Sequence, residues 1–333
     1  MTSFFVRRAL MLAATIWLAV TVLFVLLHVS PASPLNNLPP QIVADPAAKA
    51  AIMAEKGLDR PLPVQYLSYW GGLLTGDLGK SLYDGSSVAG MIATSAPVSL
   101  ELGGIATLLA VGAGGAVGIA SARAQGKRGD ALARFSTVLA ISVPSYWLAV
   151  ISLVVVGNRY PNLLPSAGGF RSLGADPAAN LRSLILPSVI LSLSGFAMVA
   201  RALRSALIEA YESDEVRFAR AMGMSESHIL WRIAMKSAAP ATITVVGLVA
   251  GIMLSGTVLI ENVFQLPGMG QLMVMGFGLN DYDLALGTAI VTAIIFLSLN
   301  LAVDIALHFL DPRLRQRIGE KRPRKSHPAP VTA

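Results

Sequence analysis

The sequence predicts an all-α membrane protein with six transmembrane helices. Its 333 residues are 54% hydrophobic and 14% charged, whereas average soluble domains carry about 25% charged residues. The apolar residues are also clustered into long uncharged runs, and a membrane span needs about 20 mostly apolar residues. The six predicted spans are 9–29, Pro97–Ala122, Phe135–Val156, Leu184–Leu203, Ala239–Ile260 and Leu284–Leu310.

The first span resembles a secretory signal peptide in one respect, because Arg7 and Arg8 precede it. Its apolar run is about 20 residues long, whereas the apolar region of a signal peptide has about 7–15 residues. Five further spans follow. We therefore expect the first span to be a retained membrane anchor.

The basic residues predict the orientation of the chain. With the N-terminus placed in the cytoplasm, 19 of the 26 Lys and Arg residues lie on the cytoplasmic side and 7 lie outside. Because cytoplasmic segments are enriched in Lys and Arg, both termini are expected inside. The distribution of the net charge of +7 thus indicates membrane topology, not nucleic-acid binding. The basic, Pro-rich tail is expected to be disordered and to touch anionic lipid headgroups. The resulting segments are a cytoplasmic N-terminus (1–8), a first span (9–29), an extracytoplasmic region (30–96), a membrane core (97–310) and a basic cytoplasmic tail (311–333).

The sequence offers no catalytic or cofactor site. It has no cysteine, so no disulfide, thiolate metal site or redox motif is expected. Gly79-Lys80-Ser81 approaches a phosphate-binding loop, but Leu74 stands where that motif requires its first glycine. Any energy for active transport must therefore come from a partner. The histidines show no metal-ligand spacing; they are His28, His228, His308 and His327.

Several residues within the spans have structural interpretations. Gly114 and Gly118 form a G-x-x-x-G pair that favours close helix packing. Pro144 is expected to kink the third span. Glu101 and Asp304 are carboxylates within or at the edge of spans, where charge is costly. We expect Asp304 to pair with a nearby cytoplasmic Arg, while a role in a transport pathway stays open for both carboxylates.

The cytoplasmic segment 204–238, between spans four and five, is about 35 residues long, more than a tight connection needs. Its pattern predicts a helix, a break at Gly223 and a second helix capped by Ser225. Val216, Ala219 and Gly223 form a small-residue face that would let a partner approach closely. The alternative is an amphipathic helix on the membrane whose Arg residues serve only topology.

The stretch Asp214–Met224 resembles the cytoplasmic "EAA" loop of binding-protein-dependent ABC permeases. It is similar to the peptide and nickel branch, whose pattern is roughly D-Y-V-R-T-A-R-A-K-G-L. Glu215, Phe218 and Met222 replace the Tyr, Thr and Lys of that pattern, which would affect the preferred ATPase. Other stretches resemble the same branch in the same order; they are Gly57–Tyr66, Gly76–Ser81, Ser142–Trp147, Glu261–Gly270, Asn280–Tyr282 and Asp311–Arg315.

The resemblance implies a type I ABC importer permease fold in a bacterial inner membrane. It also implies a heterodimer with a second homologous permease, two ATP-binding subunits that carry ATP and Mg, and an extracytoplasmic substrate-binding protein. The residues it assigns to ATPase coupling are Asp214, Glu215, Val216, Arg217, Ala219, Arg220, Ala221, Gly223, Met224 and Ser225.

Short peptides are the predicted substrate, and nickel chelates or glutathione are alternatives for the same architecture. The residues of the translocation pathway are not assigned. A secondary transporter or channel would more often show paired repeats or several buried charges. A membrane scaffold without transport would explain none of the motifs.

Overall fold

A computed structural model describes residues 2–29, 34–37, 44–159 and 170–310, and this part of the chain contains helices and no strand. The basic tail, the motif Asp311–Arg315 and the side chain of Asp304 lie outside this description. The helices are α1 Thr2–Val29, α2 Pro46–Glu55, α3 Leu62–Thr75, α4 Val88–Arg123, α5 Arg128–Ser142, α6 Ser145–Arg159, α7 Pro177–Tyr211, α8 Asp214–Ala221, α9 Glu226–Phe264, α10 Met269–Gly278 and α11 Tyr282–Leu310.

Five helices in the described part are long and apolar enough to cross a membrane, namely α1, α4, α7, α9 and α11. A sixth crossing is possible if α5 and α6 count as one broken span. The predicted kink at Pro144 is confirmed, and it is sharp, because the two helices are bent by 87°. Val143 is extended, with φ −94° and ψ 122°, as expected before Pro144, whose ring disfavours a helical residue ahead of it.

The helices on either side of the cytoplasmic segment run well beyond the predicted spans. α7 continues to Tyr211 and α9 begins at Glu226. Segment 204–238 is therefore not an open loop. It consists of the end of α7, the short helix α8 and the first turns of α9.

The core lies where α4, α7 and α9 pack together. Buried residues of the three helices share one cluster, including Leu102, Leu191 and Met253. At Gly114 and Gly118 of α4, an added Cβ would lie 2.7 Å and 2.8 Å from backbone oxygens of α7. This close approach confirms the packing role predicted for the pair.

Two of the motifs that are predicted to be extracytoplasmic contact each other. The carboxylate of Asp281 accepts hydrogen bonds from the Ser81 hydroxyl and the Leu82 amide, each at 2.7 Å. The near phosphate-loop sequence therefore belongs to a loop fixed against the start of α11.

The motif Glu261–Gly270 forms a cap for α10. The buried Glu261 carboxylate accepts the amides of Gly270 at 2.7 Å and Gln271 at 3.2 Å. Ser99 accepts the amide of Met269 at 2.8 Å. These side chains satisfy the amides that the first turn of a helix leaves unpaired.

Candidate coupling surface

α8 is a short helix with a side-chain cap and favourable charges at both ends. The Ser213 hydroxyl accepts the amide of Val216 at 3.4 Å. Asp214 and Glu215 lie in the first turn and Arg220 in the last, so the charges complement the helix dipole. The cap and the terminal charges thus explain why a helix forms at the predicted position.

The inner face of α8 packs against its own chain. Val216 and Ala219 are buried in a cluster with Ile229, which Tyr211 and Ile233 flank. In this chain, Val216 and Ala219 of the small-residue face are covered by Ile229 of α9, so they do not lie on the exposed surface of α8. These two residues anchor α8 instead.

The outer face of α8 is apolar and open. Phe218 and Met222 have 67% and 65% of their surface exposed, and residues four apart lie on the same side of a helix. Ala221 is exposed as well. Large exposed apolar side chains of this kind indicate a contact with a protein or a membrane, and an amphipathic helix commonly binds a protein groove through them.

The turn after α8 has a fixed geometry. Gly223 has φ +76°, its amide bonds to the Arg220 carbonyl at 3.0 Å, and the Met224 amide bonds to the Ala219 carbonyl at 3.1 Å. This pair of bonds is a Schellman motif, which favours glycine at the left-handed position. The predicted break at Gly223 is confirmed.

The next helix begins directly after this turn. The Ser225 hydroxyl accepts the His228 amide at 3.3 Å, so the predicted cap is confirmed. Arg220 donates to both carboxylate oxygens of Glu226, at 2.8 Å and 3.2 Å. These bonds raise the pKa of Arg220 above its ordinary value and tie α8 to α9 across the turn.

The base of the surface is an apolar junction between α7 and α9. Leu207 and Ala210 of α7 share a buried cluster with Leu230 and Ala234 of α9. Residues Ile229–Ala234 form a π-helical turn at this junction, an arrangement frequent at functional sites. α8 therefore rests on the two long helices that flank it.

One buried ion pair near this surface was missed by sequence reasoning. Asp130 of α5 is 2% exposed and accepts two bonds from the Arg204 guanidinium of α7, at 2.7 Å and 2.9 Å. The Ser121 hydroxyl of α4 donates to the same carboxylate at 2.7 Å. The available signal was a lone carboxylate within the otherwise basic segment 123–134.

The remaining polar candidates do not join the coupling surface. Asn180 donates to the Glu101 carboxylate at 2.8 Å, which gives Glu101 a structural partner. A cavity of about 620 Å³ lies between α1, α2, α3 and the start of α11, and the ion pair of Lys56 and Asp283 lines it. Within the described residues, no three His, Asp or Glu side chains are grouped to hold a metal.

Two family patterns match the chain along most of its length. Residues 114–316 match the family described as "Binding-protein-dependent transport system inner membrane component". Residues 1–103 match the N-terminal component of the same kind of transport system. The chain belongs to this family. It is a multi-span permease of a bacterial inner membrane.

Several relatives of the permease carry peptide-transport names. It is 34% identical to the "Dipeptide transport system permease protein DppB" of Lactococcus lactis, over 95% of this chain and 100% of that protein. It is 34% identical to the "Probable D,D-dipeptide transport system permease protein DdpB" of Escherichia coli, over 89% and 93%. The Bacillus subtilis DppB protein is 32% identical, over 95% and 98%.

The fold of the permease is also that of a solved transporter. A chain of the MetNI methionine ABC transporter, in an inward-facing conformation, matches with a TM-score of 0.53 and 13% identity. The match covers 66% of this chain and 96% of that one. At this identity the likeness shows the ABC importer permease fold alone.

Proposed function

We propose that this permease is one transmembrane subunit of an ATP-driven importer of short peptides. The support is the dipeptide-transport names of relatives that align over nearly all of the chain. Nickel chelates or glutathione remain alternatives for the same architecture. Substrate selection would rest largely on the extracytoplasmic binding protein.

The proposed complex contains a second homologous permease, two ATP-binding subunits and the substrate-binding protein. The ATP-binding subunits hold ATP and Mg, and this chain supplies no cofactor ligand. Region 30–96 lies outside the cell, and segment 204–238 and the tail 311–333 lie in the cytoplasm. This arrangement places α8 where it can meet an ATPase.

The exposed face of α8 is the observation that carries the coupling role. Phe218 and Met222 are exposed, while Val216 and Ala219 pack against Ile229 on the opposite side of the helix. An ATPase groove that takes these two side chains would move α8 as a rigid unit. Glu215, Arg217 and Ala221 are exposed beside them and form the rim of the contact.

Substituting the two exposed apolar residues tests this role. We expect Phe218→Asp and Met222→Asp to abolish ATPase retention on the permease pair and peptide uptake, because each places a charge in an apolar contact. Membrane insertion should be unchanged, since both side chains are exposed in this chain. A charge at Ala219 would be buried against Ile229 and would not report on docking.

The matched control is Gln125→Asp, which adds the same charge at an exposed position outside α8. It should retain the ATPase and wild-type uptake. Normal retention of the ATPase by both α8 variants would contradict the coupling role. The substrate is tested separately, by peptide-stimulated ATP hydrolysis in the reconstituted complex; stimulation by a nickel chelate or glutathione and by no peptide would reject peptides.

A further inference from the structure

The side chains that α5 buries against the rest of the chain are polar. Its only buried side chains in the described structure are Asp130 and Thr137. The Thr137 hydroxyl bonds within its own helix, to the Arg134 carbonyl at 2.8 Å. Leu132 and Phe135 are 69% and 65% exposed. Asp130 is thus the α5 side chain that hydrogen-bonds to other helices.

The opposite end of α5 is a sharp bend. The helix ends at Ser142, and α6 departs from it at 87° beyond Pro144. Because Pro144 lacks an amide hydrogen, no helical hydrogen bond from it can hold the joint straight. α5 is therefore a rod with a bend at one end and an ionic attachment at the other.

The attachment point is linked to α8 through α7. Arg204 lies about two helical turns before Tyr211, and Tyr211 packs against the cluster of Val216, Ala219 and Ile229. Between them, Leu207 packs on the base of α9. Packed contacts and one hydrogen-bonded pair thus connect α8 to α5 without a gap.

The geometry of the pair suits the transmission of movement. Two parallel bonds between a guanidinium and a carboxylate fix direction as well as distance. Ser121 donates to the same carboxylate, and the Gly126 amide does so at 3.2 Å. Asp130 is 2% exposed and Arg204 is 22% exposed. Separating them would leave the buried carboxylate without its charged partner, so the paired bonds hold the two helices in one arrangement.

We infer that Asp130 and Arg204 are positioning residues that transmit movement of α8 to the broken span formed by α5 and α6. When an ATPase displaces α8, α7 carries Arg204 with it, and Arg204 moves the cytoplasmic end of α5 about the bend at Pro144. This inference rests on the proposed function. Its consequence is that breaking the pair separates ATP hydrolysis from transport.

The experiment compares four forms of the complete reconstituted complex: wild type, Asp130→Asn, Arg204→Asp, and Asp130→Arg combined with Arg204→Asp. We expect each single variant to hydrolyse ATP and retain the ATPases but to lose peptide uptake by about tenfold or more, within the usual range of coupling between sites. The charge-swapped pair should recover part of the uptake.

The matched control is Arg134→Gln. Arg134 is 60% exposed and lies 3.8 Å from Asp130, so this variant removes a nearby charge but keeps the paired bonds. Uptake should stay near wild type. A wild-type complex that imports no peptide would refute the proposed function, whereas unchanged coupling in Asp130→Asn within a working complex would refute this inference alone.

A second measurement does not depend on the folding of any variant of the pair. Spin labels at Leu132 of α5 and Val155 of α6, both exposed, report the distance between the two arms of the bend at Pro144 in the otherwise native complex. Trapping the ATPases in their closed state should change this distance. An unchanged distance in a complex that transports would overturn the inference.

Discussion

Single glycines in α4 decide how closely that helix packs against α7. At Gly114 an added Cβ would lie 2.7 Å from the Phe196 carbonyl oxygen, and at Gly118 it would lie 2.8 Å from that of Ala200. Backbone atoms cannot move aside as a flexible side chain can. The spacing of these glycines was readable from the sequence, although their partner helix was not.

Alanine at these positions should weaken the packing of the membrane core. We expect Gly114→Ala and Gly118→Ala each to destabilise the folded permease by about 1–3 kcal/mol, because inserting one methyl group into a packed contact forces the helices apart. Gly115→Ala is the control, since its Cβ would meet nothing within 4 Å. The measurement is thermal stability in detergent, and equal stability of all three variants would contradict the packing argument.

Among the elements, α8 shows which features the sequence could predict. Gly223 and Ser225 marked the turn and the next helix, because glycine favours left-handed backbone and serine caps helices through short-range bonds. The buried face of α8 was not predictable in the same way. Val216 and Ala219 are small enough to be either buried or exposed. They are buried because Ile229 packs against them.

The Asp130–Arg204 pair was missed for a related reason. Its residues are 74 positions apart, and an Asp or an Arg in a sequence does not by itself indicate which distant residue it pairs with. Short-range rules describe helices and turns, whereas pairs between distant helices depend on the packing of the whole bundle. The same limit explains why the apolar face of α8 was not identified.

Substitutions at Gly223 test whether the left-handed backbone of this turn is needed for coupling. A left-handed backbone conformation costs an ordinary L-residue about 1–2 kcal/mol. Asn adopts this conformation more readily than a β-branched residue does. No atom lies within 4 Å of the position of an added Cβ at Gly223, so strain is the main expected effect. We predict that Gly223→Val abolishes peptide uptake at matched membrane levels and that Gly223→Asn is milder. Equal loss in both variants would point to the side chain, not the backbone.

For the whole molecule, the topology depends on whether α5 and α6 cross the membrane together. If they do, the chain crosses six times and both termini lie on one side. If they enter and leave on the same side, the six basic residues from Arg201 to Lys236 fall outside the cell. That placement opposes the positive-inside rule, so we favour a single crossing by the bent pair.

Cysteine labelling decides between these topologies, because the chain has no native cysteine. Single cysteines at Ser86 and Gly174 should react with an impermeant thiol reagent in intact cells, whereas those at Gln125 and Ser225 should react only after the membrane is opened. The positions flank α4, the bent pair and α7, so each crossing is tested by a change in reactivity. Matching reactivity at Gln125 and Gly174 would mean that α5 and α6 form a re-entrant hairpin. The coupling surface would then lie outside the cell, away from any ATPase, and the proposed coupling mechanism would fail with it.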